Sequence, residues 1–187
     1  MFRYLASSIA LAAVLVWPGA AQESGSHDKN LDVRSPIGDL HVGKDADAKS
    51  AGLPLYPGAR PKYEKDNDPL NFGVLTESFG FKLVVAKYES EDAPGKVIDY
   101  YREHLKKYGK VVECYARDGS GDAHAEFNGD KHSKELKCES DNTGPVTQLK
   151  VGTEDNQHVV AIEPNNGRSG TTFTLVYVHT RGNQDDI

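Results

Sequence analysis

Cys114 and Cys138 are the two cysteines of the chain. An even pair in a chain marked for export has an oxidising compartment in which to join, so the pair is read as a structural disulfide. No Cys-x-x-Cys spacing supports redox catalysis. The flanking runs, Val111–Tyr115 and Glu135–Glu139, are strand-like, which predicts two paired strands clamped at the base of a polar loop over residues 116–134. Closing roughly 25 residues removes about 3–4 kcal/mol of unfolded-state entropy, large beside a domain stability of roughly 5–15 kcal/mol.

That loop also carries Asp122, His124, Glu126, Asp130 and His132, residue types that could hold a divalent ion if folded around it. His124 and His132 match no zinc spacing, and ligands on an unsupported loop bind metal poorly. The segment is therefore read as solvated and polar, and no metal or other cofactor is assigned. His104 falls on the charged side of a helix and His158 precedes a strand; each reads as a surface or boundary histidine. Nucleophile elbows, phosphate loops, His-Glu-x-x-His helices and dinucleotide fingerprints are absent from the sequence. Carboxylate pairs such as Glu91 with Asp92, or Asp185 with Asp186, are chain neighbours on loops or tails. Acid–base work needs two carboxylates in unlike environments, so no catalytic residue is assigned.

The elements that could position such groups are readable. The clearest is a helix from about Ala93 to Tyr108, with Asp92 as N-cap, Pro94 in the first turn and Gly109 at the stop. Val97, Tyr101, Leu105 and Tyr108, with Ile98 beside them, form one apolar stripe, and Lys106 and Lys107 suit the C-terminal end of the macrodipole. A hairpin is predicted from Phe72–Ser78 and Phe81–Tyr88 around Phe79 and Gly80. Further strands are predicted at 110–115, 135–138, 146–152, 157–163 and 171–179, the last three as an antiparallel meander. Pro57 and Gly58 predict a type II turn. Strands flanking one helix argue for an α+β fold: an antiparallel sheet with one amphipathic helix packed on one face.

The N-terminal region has the layout of a secretion signal: Arg3, an apolar run of thirteen residues from Leu5 to Trp17, then small residues to Ala21. The run is too short for a membrane anchor of roughly 20 residues, and cleavage is expected between Ala21 and Gln22. The division expected is thus 1–21 signal peptide, 22–52 flexible leader with one possible short strand at 37–42, 53–181 a single domain, and 182–187 a disordered tail. Losing residues 1–21, in which Arg3 is the one charge, takes the formal charge from −6 to −7. An acidic chain with a pI near 5.6 and a mean hydropathy of −0.59 excludes nucleic acid as an expected partner. No later run is apolar enough to span a bilayer.

The Leu53–Ala59 turn segment, a hairpin, and the helix Glu91–Gly109 resemble a recurrent group of exported bacterial proteins. Members share a Tyr-Pro-Gly-Ala turn ahead of a helix in which Lys and Val precede a Tyr-Tyr pair, and the likeness covers residues 52–180. It implies the fold and no catalytic residue, because the function of the group is unknown. Arg34–Val42 also resembles, faintly, strands of bacterial adhesin repeats. The expectation is an exported, periplasmic or extracellular, non-catalytic domain that binds an envelope or extracellular partner, the 116–134 loop being its recognition element. The alternative is a small secreted hydrolase or metal-dependent enzyme in which His104, His158 or His179 meets an acid in three dimensions.

Overall fold

The computed structural model describes residues 30–63, 69–117, 135–138, 142–165 and 169–182. Nine strands and one α-helix follow in chain order: β1 Leu31–Ser35, β2 Gly38–Gly43, β3 Arg60–Pro61, β4 Leu70–Leu75, β5 Gly80–Ser90, α1 Pro94–Leu105, β6 Val112–Ala116, β7 Val146–Thr153, β8 Asn156–Pro164 and β9 Thr171–Arg181. All pair antiparallel in one sheet of order β1-β2-β4-β5-β9-β8-β7-β6, with the short β3 on β5. The fold is α+β, and no helix among the described residues is long and apolar enough to cross a membrane.

The helix stripe docks as its spacing demands. Val97, Tyr101 and Leu105 are fully buried where α1 crosses β7 and β8, each burial worth roughly 1.5–3 kcal/mol or more. They meet Leu149, Val151, Val160, Ile162, Phe173 and Leu175 from the sheet. Tyr101 adds a polar lock: its hydroxyl accepts the Tyr56 N–H at 3.2 Å and donates to the Pro54 carbonyl at 3.3 Å. This pins the segment before the Pro57–Gly58 turn onto the helix. The turn is type II, with Gly58 at φ +75° and Ala59 N–H donating to the Tyr56 carbonyl.

Two helix expectations need correction. The N-cap is Ala93, without a side-chain cap; the Asp92 carboxylate is drawn away, holding Lys96 at 2.7 Å and accepting from the Tyr56 hydroxyl at 2.9 Å. The α-helix also ends at Leu105, and Lys106–Tyr108 tighten into a 3₁₀ turn, which swings Tyr108 out of the stripe to a half-exposed position.

The leader expectation is also corrected. Residues 30–52 are built into the fold: β1 and β2 form a hairpin from Ser35 opposite Gly38 to Leu31 opposite Val42, and β2 pairs with β4. Leu31, Val33, Leu40 and Val42 alternate onto one face beside Phe72 and Val74 of β4, so cross-strand packing offsets the ordering entropy of the arm. Next, Ala48 and Ala51 are buried, and Ala48 N–H donates to the Tyr88 hydroxyl at 2.9 Å. The signal segment, the Ala21–Gln22 junction, residues 22–29 and 183–187 lie outside the described residues.

Cys114 and Cys138 are bonded, with sulfurs 2.02 Å apart and Cα atoms 5.4 Å apart. The strand partners differ from expectation. Cys114 lies on β6, whose ladder partner is β7, with Cys114 opposite Gln148, while residues 135–138 form no strand and, besides the disulfide, meet the sheet at an isolated Glu135–Thr153 bridge and where Cys138 Sγ lies 3.5 Å from the Glu113 carbonyl oxygen. The bond therefore ties an edge strand to an irregular return segment. The opposite face of the sheet holds a smaller cluster of Val159, Val176 and Val178 with Phe81, Leu83 and Val85. On β5, Val84, Ala86 and Tyr88 face the helix-side core.

Candidate functional site

Beyond the helix, the same sheet face becomes polar, and strand register aligns it. Asp32 lies opposite His41, His41 opposite Gly73, Gly73 opposite Lys82 and Lys82 opposite His179. Direct antiparallel partners carry their side chains on one face, with Cβ atoms about 4.5–5.5 Å apart. One row across β1, β2, β4, β5 and β9 thus presents an acid, a histidine, a gap, a lysine and a second histidine. The gap is Gly73: a Cβ there would reach the Phe81 carbonyl oxygen at 3.8 Å and the His41 Cβ at 3.9 Å, so hydrogen at this position leaves open room between His41 and Lys82. A cleft of about 550 Å³ lies over the row, with Arg34, Asp39 and Arg181 also on its walls. Ligand pockets commonly run from roughly 300 to 1,000 Å³.

His41 is held at both ends. Its Nδ1 lies 2.7 Å from Asp32 Oδ1 and its Nε2 3.4 Å from Asp45 Oδ1, and Asp45 also accepts from Asn71 Nδ2 at 3.3 Å. The Asp32 hydrogen bond raises the imidazole pKa above its ordinary value of 6.5 against a smaller opposing effect of burial, and Asp45 adds to the rise. Held through both ring nitrogens, His41 ties β1 and β2 to the turn after β2.

The other end of the row continues into stacked rings. Lys82 Nζ sits 5.7 Å from the Tyr177 ring centroid. Tyr177 lies 6.4 Å from His179 with nearly parallel planes, and 4.7 Å from His158, which in turn stacks on Tyr108 at 3.9 Å. His158 is buried and its Nδ1–H donates to the Ala51 carbonyl at 3.0 Å. Burial pushes its pKa down to about 4, against the partial support of that bond and with the charge of Lys107 adding to the fall. His158 is therefore neutral near pH 7 and serves as a rigid spacer. His179 differs: its Nδ1 is buried with no hydrogen-bond partner among the described residues.

The histidines singled out from sequence thus separate. His104 lies on the helix with Nδ1 2.8 Å from the Tyr100 carbonyl, His158 is a core spacer, and His179 lines the cleft; among the described residues none of the three has an acid as its hydrogen-bond partner. The acid–histidine pair that does form, Asp32 with His41, was not singled out, although His41 lies in the alternating run 37–42. Asp122, His124, Glu126, Asp130 and His132 lie outside the described residues. Among the described residues no group of three or more His, Cys, Asp or Glu is arranged to hold a metal ion. No family of known proteins, no curated protein and no solved structure matches this chain.

Proposed function

We propose that the chain is an exported, non-catalytic binding domain whose ligand sits in the cleft over the Asp32–His41–Gly73–Lys82–His179 row. The observation that carries this reading is the row itself: polar side chains aligned by register on five strands, with a glycine notch, under a cleft of ligand size that His179 also lines. Sites on strands are held more rigidly than sites on loops, so recognition is moved here from the 116–134 loop. Export is supported by the signal layout of residues 1–21 and by the Cys114–Cys138 bond, which an oxidising compartment maintains.

Two measurements test the reading. N-terminal sequencing of protein recovered from the periplasm or medium of a bacterium expressing the full chain is expected to begin at Gln22; a chain that stays in the cytoplasm with its leader intact refutes export. Titrating the isotope-labelled mature protein with a panel of sugars, amino acids and small carboxylic acids is expected to move the amide signals of His41, Gly73, Lys82 and His179 together. A panel that leaves those four signals unmoved refutes the cleft.

A further inference from the structure

Resting on that reading of the cleft, we propose that its ligand is a small molecule bearing an anionic oxygen group, a carboxylate or phosphate, received between Lys82 and His179 with Arg181 at the rim.

The argument is one of local charge. Within the cleft walls Asp32 is taken by His41, and Asp39 faces Arg34 by strand register. The basic residues beside His179 are Lys82, its register partner, and Arg181 two residues on. Among the described residues Lys82 rests on the face of the Tyr177 ring and Arg181 donates to the Thr76 carbonyl at 3.0 Å; neither contact neutralises a charge. Among the described residues Arg34, Lys82 and Arg181 thus line one cleft without an ion pair, in a chain whose formal charge is −6. The ring beneath Lys82 orders its stem and keeps the ammonium over the face where the Gly73 notch opens. His179, the register partner of Lys82, adds a nitrogen that either donates to an anionic oxygen when protonated or accepts from a ligand hydroxyl when neutral. An anionic oxygen between Lys82 and His179 would make charge-assisted hydrogen bonds, the stronger class. A neutral ligand would forgo those bonds to half-buried Lys82 and to Arg181 at the exposed rim.

Galacturonate and galactose, which differ in the carboxylate, are suitable probes, with inorganic phosphate as a third. Each is titrated into the mature, disulfide-bonded protein and followed by amide and histidine ring signals. Galacturonate or phosphate is expected to bind at least tenfold more tightly than galactose, with the largest shifts at Lys82 and His179, and to weaken as salt rises. Lys82→Gln and His179→Gln, checked for an unchanged amide spectrum elsewhere, are expected to reduce anion affinity at least tenfold, while Lys106→Gln on the helix leaves it unchanged. Galactose shifting the same residues as strongly as galacturonate overturns the anionic class and leaves the cleft standing. Equal loss in Lys82→Gln and Lys106→Gln, or anion shifts spread over surface lysines, overturns the site as well.

Discussion

His158 makes the protein's stability sensitive to mild acid, and the size of the effect follows from its setting. In the unfolded chain the imidazole takes up a proton near pH 6.5; folded, between Tyr108 and Tyr177 under the Ala51 carbonyl, it does so only near pH 4. Between those values the unfolded state binds more protons, so stability falls as pH falls. The contribution is fully present above pH 6.5 and is lost progressively down to pH 4. Moving from pH 7.5 to 4.5 is expected to cost roughly 2–3 kcal/mol through this one group, most of its limiting effect at lower pH. The perturbation that isolates it is His158→Phe, which keeps the ring stack but carries no titrating nitrogen. At pH 7.5 the variant should lose about 1 kcal/mol with the Ala51 hydrogen bond. At pH 4.5 the order should reverse and the variant should be the more stable protein. Urea unfolding of both proteins at the two pH values measures the double difference, in which the shared carboxylates cancel. Parallel pH dependence in the two, or a His158 ring that titrates at 6.5 or above by NMR, would refute the burial argument.

Further outcomes follow from other contacts. Replacing Cys114 and Cys138 together by serine should lower stability by roughly 3–4 kcal/mol, the loop-closure entropy of the intervening segment, read by urea unfolding against the oxidised protein; a loss below about 1 kcal/mol would mean that the tie does little for this edge of the sheet. Tyr101→Phe removes the acceptor of the buried Tyr56 N–H and should cost about 1–3 kcal/mol, with faster amide exchange at Tyr56; unchanged exchange there would show that another acceptor takes over. His41 should titrate above 6.5 and move back toward that value in Asp32→Asn, since Asp32 is the larger of its two supports. Because its folded pKa is raised, its contribution to stability is present in acid and is lost as pH rises through the raised value, opposite in sign to His158. An NMR titration of both rings in one sample checks the contrast.

What could be read from the residues was local. The stripe Val97, Tyr101 and Leu105 needs only helix spacing, and the bond between Cys114 and Cys138 needs only their number and the compartment. The β1–β2 hairpin was harder because its apolar residues are few and leave Leu31 and Val33 largely exposed. Its signal was the matched alternation of Leu31 and Val33 with Leu40 and Val42 about a turn at Pro36 and Ile37, which becomes meaningful only once β4 supplies the neighbouring Phe72 and Val74. Asp92 is a good N-cap by type, yet Lys96 and the Tyr56 hydroxyl compete for its carboxylate, and Tyr56 arrives from a segment 36 residues earlier. The cleft was least accessible. Asp32, His41, Gly73, Lys82 and His179 have nothing in common along the chain and become a row through strand register alone, which a shift of one residue on any strand would destroy.

The position of that row has a geometric cause. The helix has twelve residues, about 18 Å of length at 1.5 Å each. The principal path of the sheet has eight strands, about 34 Å across at roughly 4.8 Å spacing. One helix of that length, lying over β7 and β8, cannot cover the face. The segment carrying Ala48, Ala51 and Leu53 extends the cover to Tyr88 of β5, and there the apolar roof ends. Strands β4, β2 and β1 continue past it, so the residues they turn to that face must be compatible with water: Asn71, His41, Asp39, Asp32 and Arg34 stand where Val or Leu would otherwise be required. The boundary between roof and open sheet crosses β5 and β9 between Val84 and Lys82, and between Leu175 and His179. Lys82 and His179 accordingly have one apolar wall and one open side. Such a border removes part of their hydration, and among the described residues it supplies neither an acid to Lys82 nor a hydrogen-bond partner to His179 Nδ1.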